Sequence, residues 1–275
     1  MTPGLRYLKG HGTENDFVLL PDPDGTLELT PELVARICDR RAGLGADGVL
    51  RIVPSKLEPD GAPYADEARF FMDYRNADGS IAEMCGNGVR VYARYLVDAG
   101  LMRPGLLRLA TRGGVKDVEV EPGNGPVTVD MGPAVVGEPV LVDGAPATAV
   151  DMGNPHAVLP VPSVEALGVL GPDRTDLNVE YLEQVGPTHL RMRVHERGVG
   201  ETRSCGTGAC AVVVAHTLAT DAPRGTAFDV DVPGGRLVVT WREDGHVLLS
   251  GPAVLVAAGE LRADWLAGVG SGVLA

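Results

Sequence analysis

From His189 to His195 apolar and polar residues alternate strictly. Leu190, Met192 and Val194 fall on one face and Arg191, Arg193 and His195 on the other, the pattern of a half-buried strand. Shorter runs of the same kind predict strands at Phe17 to Leu20, Val49 to Val53, Ala68 to Arg75, Leu106 to Thr111, Val115 to Val120 and Val127 to Met131. Further strands are expected at Arg236 to Trp241, Val247 to Ser250 and near Val254.

Three segments have a helical period instead. Thr30-Pro31-Glu32 is a helix start, with a capping hydroxyl, Pro at the first helical position and an acid in the first turn; this helix is expected to run to Arg41. A second starts near Gly88, puts Val89, Tyr92, Ala93, Leu96 and Val97 on one face, and closes at Gly100. The third, Gly208 to Leu218, is apolar nearly all round and must be buried. The order is strands, helix, strands, followed after the Gly/Pro-rich stretch from Gly132 to Pro139 by the same again.

The repeat extends to chemistry. A strand ends at Asn76, and nine residues after it Cys85-Gly86-Asn87-Gly88 opens a helix; a strand ends at Glu196, and nine residues after it Cys205-Gly206-Thr207-Gly208 opens another. The first turn of a helix offers unpaired N–H groups and the positive end of the macrodipole. A thiol there is expected to ionise below its free pKa of about 8.5, and the same N–H groups bind a carboxylate. Two such loops suit inversion at a carbon acid: one thiolate removes the α-proton and the other thiol returns a proton to the opposite face. A site at the interface of two matched domains is the expectation. Cys38 and Cys210 lack this context and read as core residues.

Composition narrows the partners. A formal net charge of −13 over 275 residues disfavours nucleic acid and anionic membranes, so an anionic substrate must be held by local donors. The longest apolar run, Ala209 to Ala219, is far short of the roughly 18 residues of a membrane span, and Met1 to Gly12 contains no signal-peptide core; a soluble cytoplasmic protein is expected. Gly43-Leu44-Gly45-Ala46-Asp47-Gly48 fits G-x-G-x-x-G literally, but a helix precedes it and a strand follows, the reverse of a dinucleotide site. No zinc spacing is present, so neither metal nor cofactor is expected.

These residues resemble a known family. Cys85-Gly86-Asn87-Gly88-Val89-Arg90 and the run from Glu196 to Ala209 are similar to the two signature loops of diaminopimelate epimerases. His11 to Phe17, Asn76 to Ser80, Met152-Gly153-Asn154-Pro155-His156 and Val232 to Gly235 support the likeness in the family's order. The resemblance implies a mixed α/β fold of two pseudo-symmetric domains, each a curled mixed sheet around a central helix. The domains are expected at 1–125 and 126–254, with segment 255–275 returning to the first. It implies interconversion of LL- and meso-diaminopimelate, towards lysine and peptidoglycan, without pyridoxal phosphate or metal. Cys85 and Cys205 would be the bases, assisted by His156 and Glu196. Asn15, Asn76, Asn154, Asn178 and Arg197 would contact the diamino dicarboxylate, and Gly86, Asn87, Gly206 and Thr207 would hold its α-carboxylate. Glu14 stands where the family usually has Gly, and Gly48 where it often has Gln. A homodimer is expected as the commonest symmetric assembly.

Other readings remain beside this one. Proline and hydroxyproline racemases share the two-cysteine plan, but their ring substrates need no distal clamp of Arg197 and Asn residues. The PhzF-like isomerases lack the cysteine pair. A redox protein with a working Cys85–Cys205 disulfide and a pure binding module are the alternatives outside the isomerases.

Overall fold

A computed structural model describes residues 4–170 and 177–268. The last part of the expected returning segment, 269–275, lies outside the described residues. The chain forms two compact units, one of Met1–Gly12, Asp16–Val127 and Ala253–Ala275, the other of Thr13–Asn15 and Thr128–Pro252.

In the first unit, β1 (Leu5–Gly12) and β2 (Asn15–Pro21) lead to helix α1 (Pro31–Cys38). Thr30 caps α1 by accepting from the Leu33 N–H at 3.2 Å. Its apolar face, Leu33, Val34, Ile37 and Cys38, packs on Val18, Leu20 and Val49. The helix stops at Cys38 rather than Arg41, because the Asp39 carboxylate accepts the N–H groups of Arg41 and Ala42, both at 2.7 Å, and turns the chain. The G-x-G-x-x-G segment then folds back. The N–H groups of Leu44 and Gly45 donate to the Ile37 carbonyl and that of Ala46 to the Cys38 carbonyl, so the segment caps α1.

The chain continues through β3 (Gly48–Pro54), parallel to β2 and antiparallel to β4 (Phe70–Asn76). Helix α2 (Gly86–Asp98) follows, then the hairpin β5 (Gly105–Thr111) and β6 (Gly114–Val120). Val89, Tyr92 and Leu96 of α2 are fully buried, as the periodicity predicts. The polar face is buried too: Arg94 reaches back to the carbonyl oxygens of Glu121 and Gly125, at 3.0 and 2.6 Å. Backbone acceptors at the hairpin's end thus let a guanidinium sit inside.

The chain enters the second unit in β7 (Val127–Pro133), whose first residue still belongs to the first, and continues through β8 (Val135–Val136), β9 (Val140–Val142) and β10 (Ala145–Asp151). β11 (Pro155–Pro160) pairs antiparallel with β10 and parallel with β12 (Asn178–Gly186), which pairs antiparallel with β13 (His189–Glu196). β14 (Gly200–Thr202) leads into helix α3 (Gly206–Thr220), and β15 (Ala227–Val232), β16 (Gly235–Trp241) and β17 (His246–Gly251) complete the unit. The buried helix expected from Gly208 starts at Gly206, and its run from Ala209 to Val214 has no exposed surface. It packs against β10, β11, β12, β13, β16 and β17.

The Arg191/Arg193 face of β13 is not simply solvated. Arg193 donates to the carbonyl oxygens of Val164 and Gly168 and pairs with Glu201, Arg191 pairs with Glu165, and His195 is buried. The chain re-enters the first unit in β18 (Val254–Leu261), antiparallel to β1, and a short helix, α4 (Ala263–Leu266).

Candidate active site

Each unit presents a cysteine as the N-cap of its buried helix. Cys85 caps α2 in an extended conformation, φ −140° and ψ 120°, and Cys205 caps α3 at φ −122° and ψ 116°. At Cys205 the extended cap turns the thiol back over the first helical turn, where it accepts from a backbone N–H.

In the first unit β4 ends at Asn76. The Asn76 backbone N–H donates to the Ser80 carbonyl and its side-chain amide to the Ser80 hydroxyl, both at 2.9 Å. This turn precedes Cys85. Gly86 and Asn87 are buried in the first turn of α2.

In the second unit the Gly208 N–H donates to the Cys205 sulfur at 3.4 Å, and the Thr207 hydroxyl lies 3.5 Å from it. Burial first, then the charges of Glu196 and Glu180, push the Cys205 thiol well above its ordinary range; the Thr207 and Gly208 bonds oppose the shift without reversing it. For Cys205 this direction is opposite to the one expected from the helix end alone.

Parallel pairing of β11 with β12 sets His156 opposite Asn178. His156 is buried, with Nδ1 2.6 Å from Glu180 Oε1 and Nε2 3.1 Å from Asn154 Oδ1. Asn178 spends both arms on backbone, accepting from the Arg197 N–H at 2.9 Å and donating to the Pro155 carbonyl at 2.8 Å. It therefore ties the His156 and Arg197 segments together. Glu196, at the end of β13, accepts from the Thr202 hydroxyl. The Arg197 guanidinium is exposed. The structure thus brings Asn154, His156, Asn178, Glu196 and Arg197 onto the adjoining ends of β11, β12 and β13.

The turn with Asn15 belongs to this unit as well. Thr13 and Glu14 both have positive φ, 50° and 61°, which explains why Gly suits position 14. The Glu14 carboxylate is paired with Arg203, so its charge is neutralised. The buried Thr13 hydroxyl meets Ser204 at 2.6 Å, next to Cys205. Gly234 allows the closest approach: a Cβ there would come within 1.8 Å of the Thr13 carbonyl oxygen.

Sequence reasoning missed Glu180 and Thr13. A lone acid within the otherwise apolar run Val179 to Leu182 was the available signal for the first; the second had none. A half-open cleft of about 800 Å³ in the first unit, lined by Lys56, Arg69 and Arg108 among others, contains none of the predicted site residues. Among the described residues no group of three His, Cys, Asp or Glu is placed to hold a metal, and no helix is long and apolar enough to cross a membrane.

Comparison with solved structures shows the fold. A PhzF-family phenazine biosynthesis protein from Bacillus anthracis superposes with a TM-score of 0.73 at 16% identity, covering 94% of this chain and 99% of that one. A hydroxyproline epimerase from Agrobacterium vitis, with bound trans-4-hydroxy-L-proline, gives 0.69 at 15% identity over 99% and 97%. The class is therefore the mixed α/β fold that these proteins share. Within it, the diaminopimelate epimerase family model matches residues 7–137 and 148–256. The diaminopimelate epimerase of Streptomyces coelicolor is 53% identical over 290 aligned residues, covering 98% of this chain and 99% of the relative. The chain belongs to the diaminopimelate epimerase family, a family of isomerases.

Proposed function

We propose that the chain interconverts LL- and meso-2,6-diaminopimelate, with Cys85 and Cys205 as its two acid–base groups. The observation that carries this reading is the recurrence, in each unit, of a cysteine as N-cap of the buried helix, in a chain 53% identical to a named diaminopimelate epimerase.

One cysteine, as thiolate, takes the α-proton; the electron pair delocalises into the α-carboxylate. The other, as thiol, delivers its proton to the opposite face of the α-carbon, and each sulfur ends in the state the other began in. N–H groups at Gly86-Asn87 and Gly206-Thr207 stabilise the carboxylate as charge develops on it. The buried, carboxylate-flanked Cys205 thiol suits the donor role in the resting protein. His156 and Glu196 assist proton transfer. Asn15, Asn76, Asn154 and Arg197 hold the substrate, Arg197 as the bidentate partner of a carboxylate, and Asn178 keeps the Arg197 backbone in place.

The same reading carries a homodimer, a cytoplasmic location and independence of pyridoxal phosphate and metal. Sedimentation checks the first, and full activity after treatment with hydroxylamine and a chelator checks the last. The decisive experiment incubates reduced protein with meso-diaminopimelate in deuterated water under NMR. Exchange of the α-proton with appearance of the LL isomer, abolished in Cys85→Ala and in Cys205→Ala, is the expected result. Exchange with hydroxyproline alone would change the substrate, and no exchange with either would overturn the reading.

A further inference from the structure

Glu180 belongs to no signature loop, yet it is a fully buried acid and its carboxylate is bonded on one side only. Oε1 meets His156 Nδ1 at 2.6 Å; Oε2 is buried with no hydrogen-bond partner among the described residues. A buried carboxylate oxygen left without a protein partner is costly and calls for an explanation. The chain makes room for it. A Cβ on Gly208 would come within 2.7 Å of Glu180 Oε1, so only a glycine there leaves the carboxylate where it is. Gly208 is also the residue whose N–H reaches the Cys205 sulfur. Glu180 is therefore fitted between an imidazole and the first turn of the helix that carries Cys205.

The register explains how it gets there. His156 on β11 lies opposite Asn178 on β12, and Glu180 is two residues further along β12, hence on the same face and diagonal to His156. From that place a Glu side chain reaches back to Nδ1. With the Glu180 carboxylate as acceptor, Nδ1 carries the proton; Nε2 of the neutral ring then accepts from the Asn154 side chain, with that amide turned so that its NH2 faces the ring.

We propose that Glu180 is a positioning residue of the epimerase reaction: it holds the Nδ1 proton of His156, fixes the plane of that ring against Asn154, and keeps a fixed negative charge at the α3 end bearing Cys205. It acts through His156 and Cys205 and has no contact of its own with the reacting carbon. The proposal rests on the epimerase reading for its kinetic consequence and on geometry alone for its structural one.

The test uses the full chain labelled with 15N-histidine. Ring-nitrogen spectra of the wild type, assigned by the signals lost in His156→Gln, report which nitrogen is protonated; Glu180→Gln is then compared by the same spectra, by thermal melting and by kcat and KM in both directions. The expected result is a protonated Nδ1 in the wild type. Folded Glu180→Gln is expected to show a mixture of ring tautomers, with kcat lowered about a hundredfold and KM changed less than about threefold. A wild-type His156 with a bare Nδ1 overturns the proposal even if Glu180→Gln fails to fold. So does a folded Glu180→Gln whose ring spectrum and kcat match the wild type. If the wild type does not turn over diaminopimelate, the epimerase reading fails separately, and the ring spectra still decide whether Glu180 sets the state of His156.

Discussion

The His156 imidazole and the Glu180 carboxylate meet at 2.6 Å with neither side chain exposed to solvent. Breaking such a buried pair is costly because the surviving partner stays buried. The space for it comes from Gly208, where a Cβ would lie 2.7 Å from Glu180 Oε1. Gly208→Ala should therefore separate stability from activity. Alanine favours a helix over glycine by up to about 1 kcal/mol, so the melting temperature should change little. The carboxylate must swing away from His156, and turnover should fall at least about tenfold. Equal turnover in the variant and the wild type would show that the carboxylate has room to spare.

The Cys205 thiol provides a reactivity test. Burial, followed by the charges of Glu196 and Glu180, holds its pKa well above the ordinary thiol range. Only the thiolate is alkylated. In the free protein, labelling of Cys205 by iodoacetamide, read by peptide mass spectrometry, should be slow at neutral pH and keep rising well past the pH at which an ordinary thiol levels off. Glu180→Gln removes one of the opposing charges and should speed labelling at any fixed pH below that plateau.

The contrast between the two signature cysteines and their surroundings shows how far the sequence reaches. The helix starts at Cys85 and Cys205 were legible because glycines and strand ends flank them at matched spacings. The alternation from His189 to His195 gave its strand directly, and Cys38 and Cys210 are buried as expected. Glu180 was not legible, because its role depends on the register of β11 against β12 and on an empty place at Gly208, both of which are long-range facts. The direction of the Cys205 shift was misread for the same reason. Local sequence shows the helix end, which lowers a thiol pKa, and not the burial and acids that raise it. Helix α1 stopped early because Asp39 bonds its own turn, a preference that competes with the helical pattern.

Asp16 gives a prediction for acid stability. Burial alone would raise its carboxyl, but bonds from Arg40 and Lys9 overcome this and hold it at about 2, against 3.8 for a free side chain. A folded-state pKa below the unfolded one adds stability that is complete above the unfolded value and is lost as pH falls through the folded one. The loss should therefore run from about pH 4 to about pH 2. Partial exposure screens the network, so the contribution is about 1 kcal/mol. In urea melts, Asp16→Asn should be less stable than the wild type at pH 7, with the gap closing across that window.

Thr13 and Ser204 should be coupled. Their hydroxyls meet at 2.6 Å in a buried contact, beside the close approach of Gly234 to the Thr13 carbonyl. Thr13→Val and Ser204→Ala each remove one side of that bond and should each cost about 1–2 kcal/mol. The double variant should cost less than the sum, giving a coupling of about 1 kcal/mol in a double-mutant cycle. Because Ser204 adjoins Cys205, each single variant should also lower kcat. Strict additivity would mean that the two hydroxyls do not meet in solution.

Gly48 tests whether a missing contact can be restored by substitution. The family resemblance implies Gln there, but Gly48 lies on β3 opposite Asn76, and a Cβ would come within 2.5 Å of the Arg75 carbonyl oxygen and 2.7 Å of the Tyr74 ring. The first neighbour is backbone in a paired strand and has little freedom to yield. Gly48→Gln should therefore destabilise the protein by about 1–3 kcal/mol, as overpacking does. It should raise KM for diaminopimelate instead of lowering it, because the strand that shifts is the one ending at Asn76. A variant as stable as the wild type with a lower KM would mean that β3 and β4 can part locally, and that Gly48 is a simple loss of a substrate contact.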